Sequence, residues 1–333
     1  MNNISKKLID RIAIYFNKSI DSKYFFDNNY TLNKNKELII FRNRINNIKD
    51  INKFHQMINK KIENGCIYIT CLQTNQTRYL NYRNNYQFSF LVVYFFDFLF
   101  NRLIPRLPIF KNFYFFITKG KNQAISKSEA LGRLLFCGFQ ILDFFEIDNL
   151  CYIISKKKQE PNYHLKPSYG IIFKMNRIGY KGKKINLYKL RTMHPYSEFL
   201  QEYLNERFGL NKDGDKINND FRITKWGQFL RKYWIDELPQ LFNFLKGELD
   251  MVGVRALTQA KFKTYPIKLQ ELRIKVKPGL IPPYYADLPK NREAFYESEI
   301  KFIKSKIKNP FLTSIKYFYL AMINILFKGA RSK

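Results

Sequence analysis

Through the first half of the chain, short unbroken apolar runs alternate with stripes of helical period. ELIIFR (37–42) has the length and content of a buried strand. Residues 48–63 then place Ile51, Phe54, Met57, Ile58 and Ile62 on one helical face. GCIYITC (65–71) reads as the next strand, entered through Gly65. A helix is predicted over about 88–103, stopped by Pro105 and Pro108, because proline cannot donate the N–H that a helix interior needs. In SKSEALGRLLFCGF (126–139), Ser126 and Glu129 have the spacing of a capping box, and Gly138 ends the helix. FQILDFFEI and LCYIISKKK, within 139–158, read as two strands joined at Asp148-Asn149. This alternation of strand and helix predicts an α/β layer with a parallel sheet. The polar, proline-bearing KKKQEPNYHLKPSYG (156–170) interrupts the pattern as a boundary does. It divides the chain into an accessory domain at 1–158, a linker at 159–168 and a second domain at 169–333.

Two stretches are apolar enough to raise the question of a membrane. FSFLVVYFFDFLF (88–100) would be ~20 Å long as a helix, short of a ~30 Å hydrocarbon core, and Asp97 interrupts it. FLTSIKYFYLAMINILF (311–327) would reach ~25 Å, with Lys316 inside and KGARSK after it. Both fit a core helix or one lying in the membrane interface. The first twenty residues are too charged for a secretory leader.

Charge alters this picture more than composition does. The net charge is +31, which draws polyanions: nucleic acid, anionic lipid or phosphorylated substrates. It is uneven. Residues 151–200 hold eleven Lys and Arg against two acids, and 301–333 hold eight against none. The intervening 201–250 holds eight against nine. The four cysteines (66, 71, 137 and 151) have no CxxC spacing, and His55, His164 and His194 join no ligand pattern. Zinc and disulfide frameworks are therefore excluded as organising features, and a reduced setting fits.

The chemistry concentrates in NDFRITKWGQFLRKYWIDELPQLFNFLKGELDMVGVRAL (219–257). Basic residues lead into adjacent carboxylates, Asp236 and Glu237, and then into Leu-Pro and an amphipathic run ending at Gly247. Proline is tolerated at a helix start, so the two acids are predicted at a helix entrance, where backbone N–H groups favour negative charge. Neighbouring carboxylates repel, and Mg²⁺ completed by substrate phosphates would relieve them. Arg222, Arg231 and Arg255 have the forked donors that clamp phosphate oxygens. The same residues read equally as an acidic helix cap among surface charges. KDGDKINND (212–220) lacks the EF-hand ladder and reads as a solvated loop. Tyr284 and Tyr285, beside Pro282-Pro283, read as packing residues, with stacking on a base or sugar as the alternative.

The wider order of motifs decides between the two readings of the acids. IIFKMNRIGYKGKKINLYKLRTM (171–193) is a basic hairpin turning at KGKK, and RIKVKPGLIPPYYADLP (273–289) lies downstream. Hairpin, Lys-Leu-Arg-Thr-Met, Arg-Ile-Thr, Asp-Glu-Leu-Pro-Gln-Leu, Val-Gly-Val-Arg and Lys-Pro-Gly follow one another. Over about 165–333 this order resembles the bacterial sugar transferases, the polyprenyl-phosphate sugar-1-phosphate transferases with a single catalytic domain. The resemblance implies a helix-rich α+β catalytic domain. Asp236 matches the nucleophile of that family and Glu237 its Mg²⁺-binding glutamate. Lys189, Arg191, Arg222, Arg231 and Arg255 match its phosphate-binding basic residues. It further implies a UDP-sugar donor, Mg²⁺, an aspartyl-phosphosugar intermediate and a polyprenyl (undecaprenyl) phosphate acceptor. The implied place is the cytoplasmic face of the bacterial inner membrane, initiating exopolysaccharide, capsule or O-antigen assembly.

The sequence departs from that family at Val254 and Ala256, which stand where it has prolines flanking the arginine. The polar 156–170 also stands where it has a re-entrant apolar helix. Residues 37–158 loosely resemble the later half of a Rossmann-type methyltransferase. Residues 1–36 contain no glycine for a cofactor loop, so a Rossmann-like remnant without S-adenosylmethionine is expected. Nucleic-acid binding and a catalytically silent scaffold are the competing functions. No nucleic-acid recognition motif accompanies the basic charge.

Overall fold

The computed structural model describes residues 6–17, 19–27, 37–164, 167, 169–208 and 220–328. These residues form two compact units. The first takes the described residues up to 169, together with 193–208 and 220–222. The second takes 170–192 and 223–328. A single linear boundary does not describe this, because 193–208 follows the basic hairpin in sequence yet folds with the first unit. The aspartate-rich loop read at 212–220 lies outside the described residues except for Asp220.

Elements are numbered in chain order. The first unit contains α1 (Lys6–Phe16), β1 (Phe25–Phe26), β2 (Leu38–Arg44), α2 (Ile51–Lys61) and β3 (Ile67–Leu72). It continues with α3 (Asn75–Tyr86), α4 (Phe90–Phe98), α5 (Pro108–Thr118), α6 (Lys127–Phe136), β4 (Phe139–Ile147) and β5 (Leu150–Lys157), and is joined by α7 (Gln201–Phe208). Its sheet has the order β1-β2-β3-β5-β4. β1, β2 and β3 run parallel, while β5 pairs antiparallel with both β3 and β4. Ile69 faces Ile40 on one side and Ile154 on the other. Leu8 and Ile12 of α1 cover one face of this sheet, and residues of α2, α6 and 196–204 cover the other. A sheet covered on both faces needs continuous apolar strands, which is why β2 and β3 read as unbroken runs. The fold is thus mixed α/β with a part-parallel sheet. Asp148 and Asn149 both have positive φ (50° and 62°) in the β4–β5 turn, as a tight hairpin of that handedness requires.

One sequence expectation is corrected in this unit. Ser126 Oγ does accept from Glu129 N (3.2 Å), but the Glu129 carboxylate does not reach back to complete a capping box. It is taken up by Arg102, Arg106 and Arg133. The helix read at 88–103 is present, α-helical over Phe90–Phe98 and π-helical over Leu99–Leu103. Residues 75–106 are long and apolar enough to cross a membrane by length and composition. The chain nevertheless folds back at Gln87 (φ 37°), so α3 and α4 pair side by side through Tyr79–Phe90 and Tyr79–Tyr94 ring contacts. After α4 come a π-helical turn at Leu99–Leu103 and a 3-10 turn at Ile104–Arg106. Pro108 then opens α5 at its first turn, where its missing N–H costs nothing.

The second unit starts with a hairpin, β6 (Ile172–Ile178) and β7 (Lys184–Leu190), turning through Lys181 and Gly182 with positive φ. It continues with α8 (Lys225–Lys232), a 3-10 turn at Ile235–Glu237, α9 (Gln240–Leu245) and β8 (Asp250–Val252). Then follow α10 (Gln259–Lys263), α11 (Ile267–Arg273), β9 (Gly279–Ile281), α12 (Tyr284–Asp287), α13 (Arg292–Lys308) and α14 (Pro310–Phe327). β8 and β9 pair in parallel, Asp250 opposite Gly279. A Cβ on Gly279 would lie 2.1 Å from Gly253 N, so the Lys-Pro-Gly element needs glycine for this close backbone approach. Val252, Val254, Leu269, Phe302, Ile303 and Tyr317 form the core beneath. α14 docks through a stripe of Thr313, Tyr317, Ala321 and Asn324, and Asn324 donates to the carbonyls of Tyr285 and Ala286 (2.9 and 2.8 Å). Its apolar side, including Phe311, Tyr319 and Phe327, faces outward.

Candidate active site

Asp236 and Glu237 lie in the 3-10 turn between α8 and α9, ahead of the helix start rather than in its first turn. Three local features place them there. Thr224 caps α8 by accepting from Gly227 N (2.9 Å). Gly227 rests on the Thr192 carbonyl, where a Cβ would come within 2.1 Å. Trp234 then takes a left-handed conformation (φ 56°), costly for a residue with a large side chain, and redirects the chain into the acidic turn. Its ring meets Tyr285 edge-on, 5.8 Å between centroids.

From β7, Lys189 Nζ reaches Glu237 Oε1 at 2.5 Å. From α8, Arg231 Nε donates to Thr192 Oγ1 at 2.8 Å. Asp236 is 7% exposed. Burial and the neighbouring Glu237 hold its carboxyl above the ordinary range, while Lys189 and Arg231 pull it back only in part. α9 is fixed against the hairpin by Asn243, which donates to Asn186 O (2.7 Å) and Glu248 (2.6 Å) and accepts from Tyr188 N (3.2 Å). Asn243 was missed from sequence, where it stood as one polar position inside an amphipathic run. That interruption was the available signal.

The remaining expected residues divide. Arg255 follows buried Val254, and its Nη1 approaches the Tyr284 hydroxyl at 3.4 Å. Tyr284 stacks on Phe295 and Tyr285 is buried, which supports packing for this pair. The backbone at Arg255 is held by Arg273. It donates to the Arg255 carbonyl and is paired with Glu299, itself wholly buried. Arg191 is buried at the hairpin base, donates to Gly170 O (2.9 Å) and lies over the Phe173 ring. Arg222 lies apart from the acidic pair in the division of the chain. It belongs to the first unit, where Asp220 binds it in a two-pronged pair (2.9 and 2.6 Å) and Gln201 takes its other arm (2.8 Å). A phosphate-binding role was expected from its forked donors and from the family resemblance, and its guanidinium is paired locally with Asp220.

No cluster of three or more His, Cys, Asp or Glu side chains that could hold a metal occurs among the described residues. Asp236 and Glu237 fit Mg²⁺ as a two-carboxylate set that phosphate oxygens would have to complete.

A buried aspartate and a lysine-paired glutamate thus lie together with Arg231 on a hairpin-and-helix frame. Residues 163–309 match the model of the bacterial sugar transferase family. Over 112 residues the chain is 40% identical to the galactosyl transferase CpsE of Streptococcus agalactiae, covering 33% of this chain and 24% of that protein. Over 116 residues it is 40% identical to the uncharacterized sugar transferase EpsL of Bacillus subtilis, covering 35% and 50%. Over 165 residues it is 34% identical to the undecaprenyl-phosphate galactose phosphotransferase of Salmonella typhimurium, covering 48% and 32%. The chain thus spans about a quarter to a half of the length of these curated relatives.

Proposed function

We propose that the second unit transfers a sugar phosphate from a UDP-sugar to a polyprenyl phosphate through a covalent intermediate on Asp236. The observation that carries this reading is a buried carboxylate held short of full charge compensation, with Lys189 and Arg231 facing it. An Asp236 oxygen attacks the sugar-side phosphorus of the donor, the P–O bond to UMP breaks, and an aspartyl-phosphosugar forms. An oxygen of the lipid phosphate then attacks that phosphorus and releases the Asp236 carboxylate. Lys189, Arg231 and Arg255 hold charge on the non-bridging oxygens. Mg²⁺ held by Asp236 and Glu237 would neutralise the diphosphate and improve UMP as a leaving group.

The surroundings of the dyad support a lipid acceptor at a membrane surface. Trp226 and Phe229 on α8, Tyr233 at its C-terminal cap, and Leu241, Phe242 and Leu245 on α9 are all exposed on either side of it. Aromatic and aliphatic side chains beside lysine and arginine suit an interfacial, monotopic seating on the cytoplasmic face. In the first unit, the insertion of β5 between β3 and β4 supports a Rossmann-like remnant as its origin.

The test is UMP release from a panel of UDP-sugars with Mg²⁺, with and without undecaprenyl phosphate. Donor alone is expected to give one equivalent of UMP per enzyme, and acceptor is expected to restore turnover. Full activity in Asp236→Asn would rule out the covalent route.

A further inference from the structure

The first unit carries an apolar surface that neither its sheet nor its core uses. On α5, Ile109, Phe110, Phe113, Phe116 and Ile117 are all half or more exposed, while Tyr114 points inward and donates to Asn101 Oδ1 (3.1 Å). On α4, Leu91, Val92, Phe95 and Phe96 are exposed, and Phe88 stands wholly free at the preceding bend. The other side of the same hairpin is locked to the protein by charge. Arg78 pairs with Asp97, Asn101 donates to Asp97 (2.9 Å), and Arg102 and Arg106 bind Glu129. The segment is therefore held rigidly on its polar side with its apolar side outward.

Charge identifies what covers it. Residues 75–121 contain seven Lys and Arg and a single acid, Asp97. That acid is buried against Arg78, so the segment exposes no negative charge, while Arg83, Lys111, Lys119 and Lys121 are exposed. An aromatic face rimmed only by cations suits an anionic lipid surface. α5 has eleven residues, ~16 Å, and α4 with its π turn has fourteen, ~21 Å, so neither crosses a ~30 Å core.

We propose that α4 and α5 form a membrane-docking face, lying in the interface of an anionic bilayer, and that the first unit is a lipid anchor in its own right. This goes beyond the transferase reading and does not depend on it, since docking requires neither donor nor acceptor.

The full chain permits a direct test. All four native cysteines are buried, and burial pushes the Cys66 thiol up to about 11 and those of Cys71, Cys137 and Cys151 to about 12. A Phe113→Cys variant will therefore take an environment-sensitive nitrobenzoxadiazole label at position 113. Vesicles of phosphatidylcholine with phosphatidylglycerol are expected to raise its emission several-fold with a blue shift. Pure phosphatidylcholine should give a weaker response, and 0.5 M salt should reduce the response to anionic vesicles. Exchanging Phe110 and Phe116 for Ser in the labelled protein should weaken vesicle affinity by tenfold or more. Vesicle flotation without any change at the label would place binding elsewhere and overturn the proposal. A blue shift without vesicles, together with a doubled mass in solution, would assign the face to a second copy and overturn it equally. Asp236→Asn protein should dock unchanged, which separates failure here from failure of the transferase reading.

Discussion

Glu129 in the first unit and Asp236 in the second are both buried carboxylates facing arginines, yet their proton affinities are displaced in opposite directions. Burial pushes each one up. At Glu129 the charges of Arg106, Arg102 and Arg133 outweigh it, at contacts of 2.7, 2.5 and 2.9 Å, and the acid is held far below its ordinary value. At Asp236 burial wins, because Lys189 is paired with Glu237 and Arg231 with Thr192. The difference teaches where to look for chemistry. A fully partnered carboxylate holds structure together, whereas an under-partnered one retains reactivity and room for a substrate's charge.

Substitutions at the two acids and their partners test this contrast directly. The largest effect expected is from Asp236→Asn, a loss of UMP release of roughly 10³-fold or more. Glu129→Gln should leave the rate constants of the remaining folded enzyme near wild type and cost about 3–5 kcal/mol in urea unfolding, since it leaves the buried Arg102 and the partly buried Arg106 and Arg133 without their anion. Equal loss of activity and unchanged stability in that variant would erase the distinction. Lys189→Met should lower kcat/KM by roughly 10²-fold by removing a cation from the proposed phosphate site. The smallest effect is on stability. Asp236→Asn should raise stability by about 1 kcal/mol at neutral pH, because an amide carries no charge to desolvate.

Acid should move the two sites in opposite senses. The folded-state affinity of Glu129 for its proton is depressed, so its contribution is present above the ordinary carboxylate range and lost as pH falls below it. That of Asp236 is raised, so its contribution is present at low pH and lost as pH rises through its elevated value. Thermal unfolding from pH 3 to pH 8 should show the Asp236→Asn advantage vanish at the acid end. An advantage independent of pH would mean that desolvation is not its source.

What the sequence determined by itself was whatever depends on near neighbours. The runs at 37–42 and 65–71, the stripe at 51–62, the Asp148-Asn149 turn, the KGKK hairpin and the Asp236-Glu237 turn were all legible, because period and turn chemistry act over a few residues. Tertiary structure decided which partner satisfies each charge. Arg222 and Arg231 looked alike in sequence, yet one folds onto Asp220 and the other lies beside the acidic pair. Glu129 had the spacing of a cap and became the anchor of three distant arginines. Arg273 and Glu299, 26 positions apart, hold the Arg255 backbone with no local motif to announce it. The composition of α14 fitted either a core helix or an interfacial one, and the structure selects a single buried stripe of Thr313, Tyr317, Ala321 and Asn324. An ion pair or a buried stripe is chosen by what the rest of the chain brings within reach, and that choice carries no short-range signature.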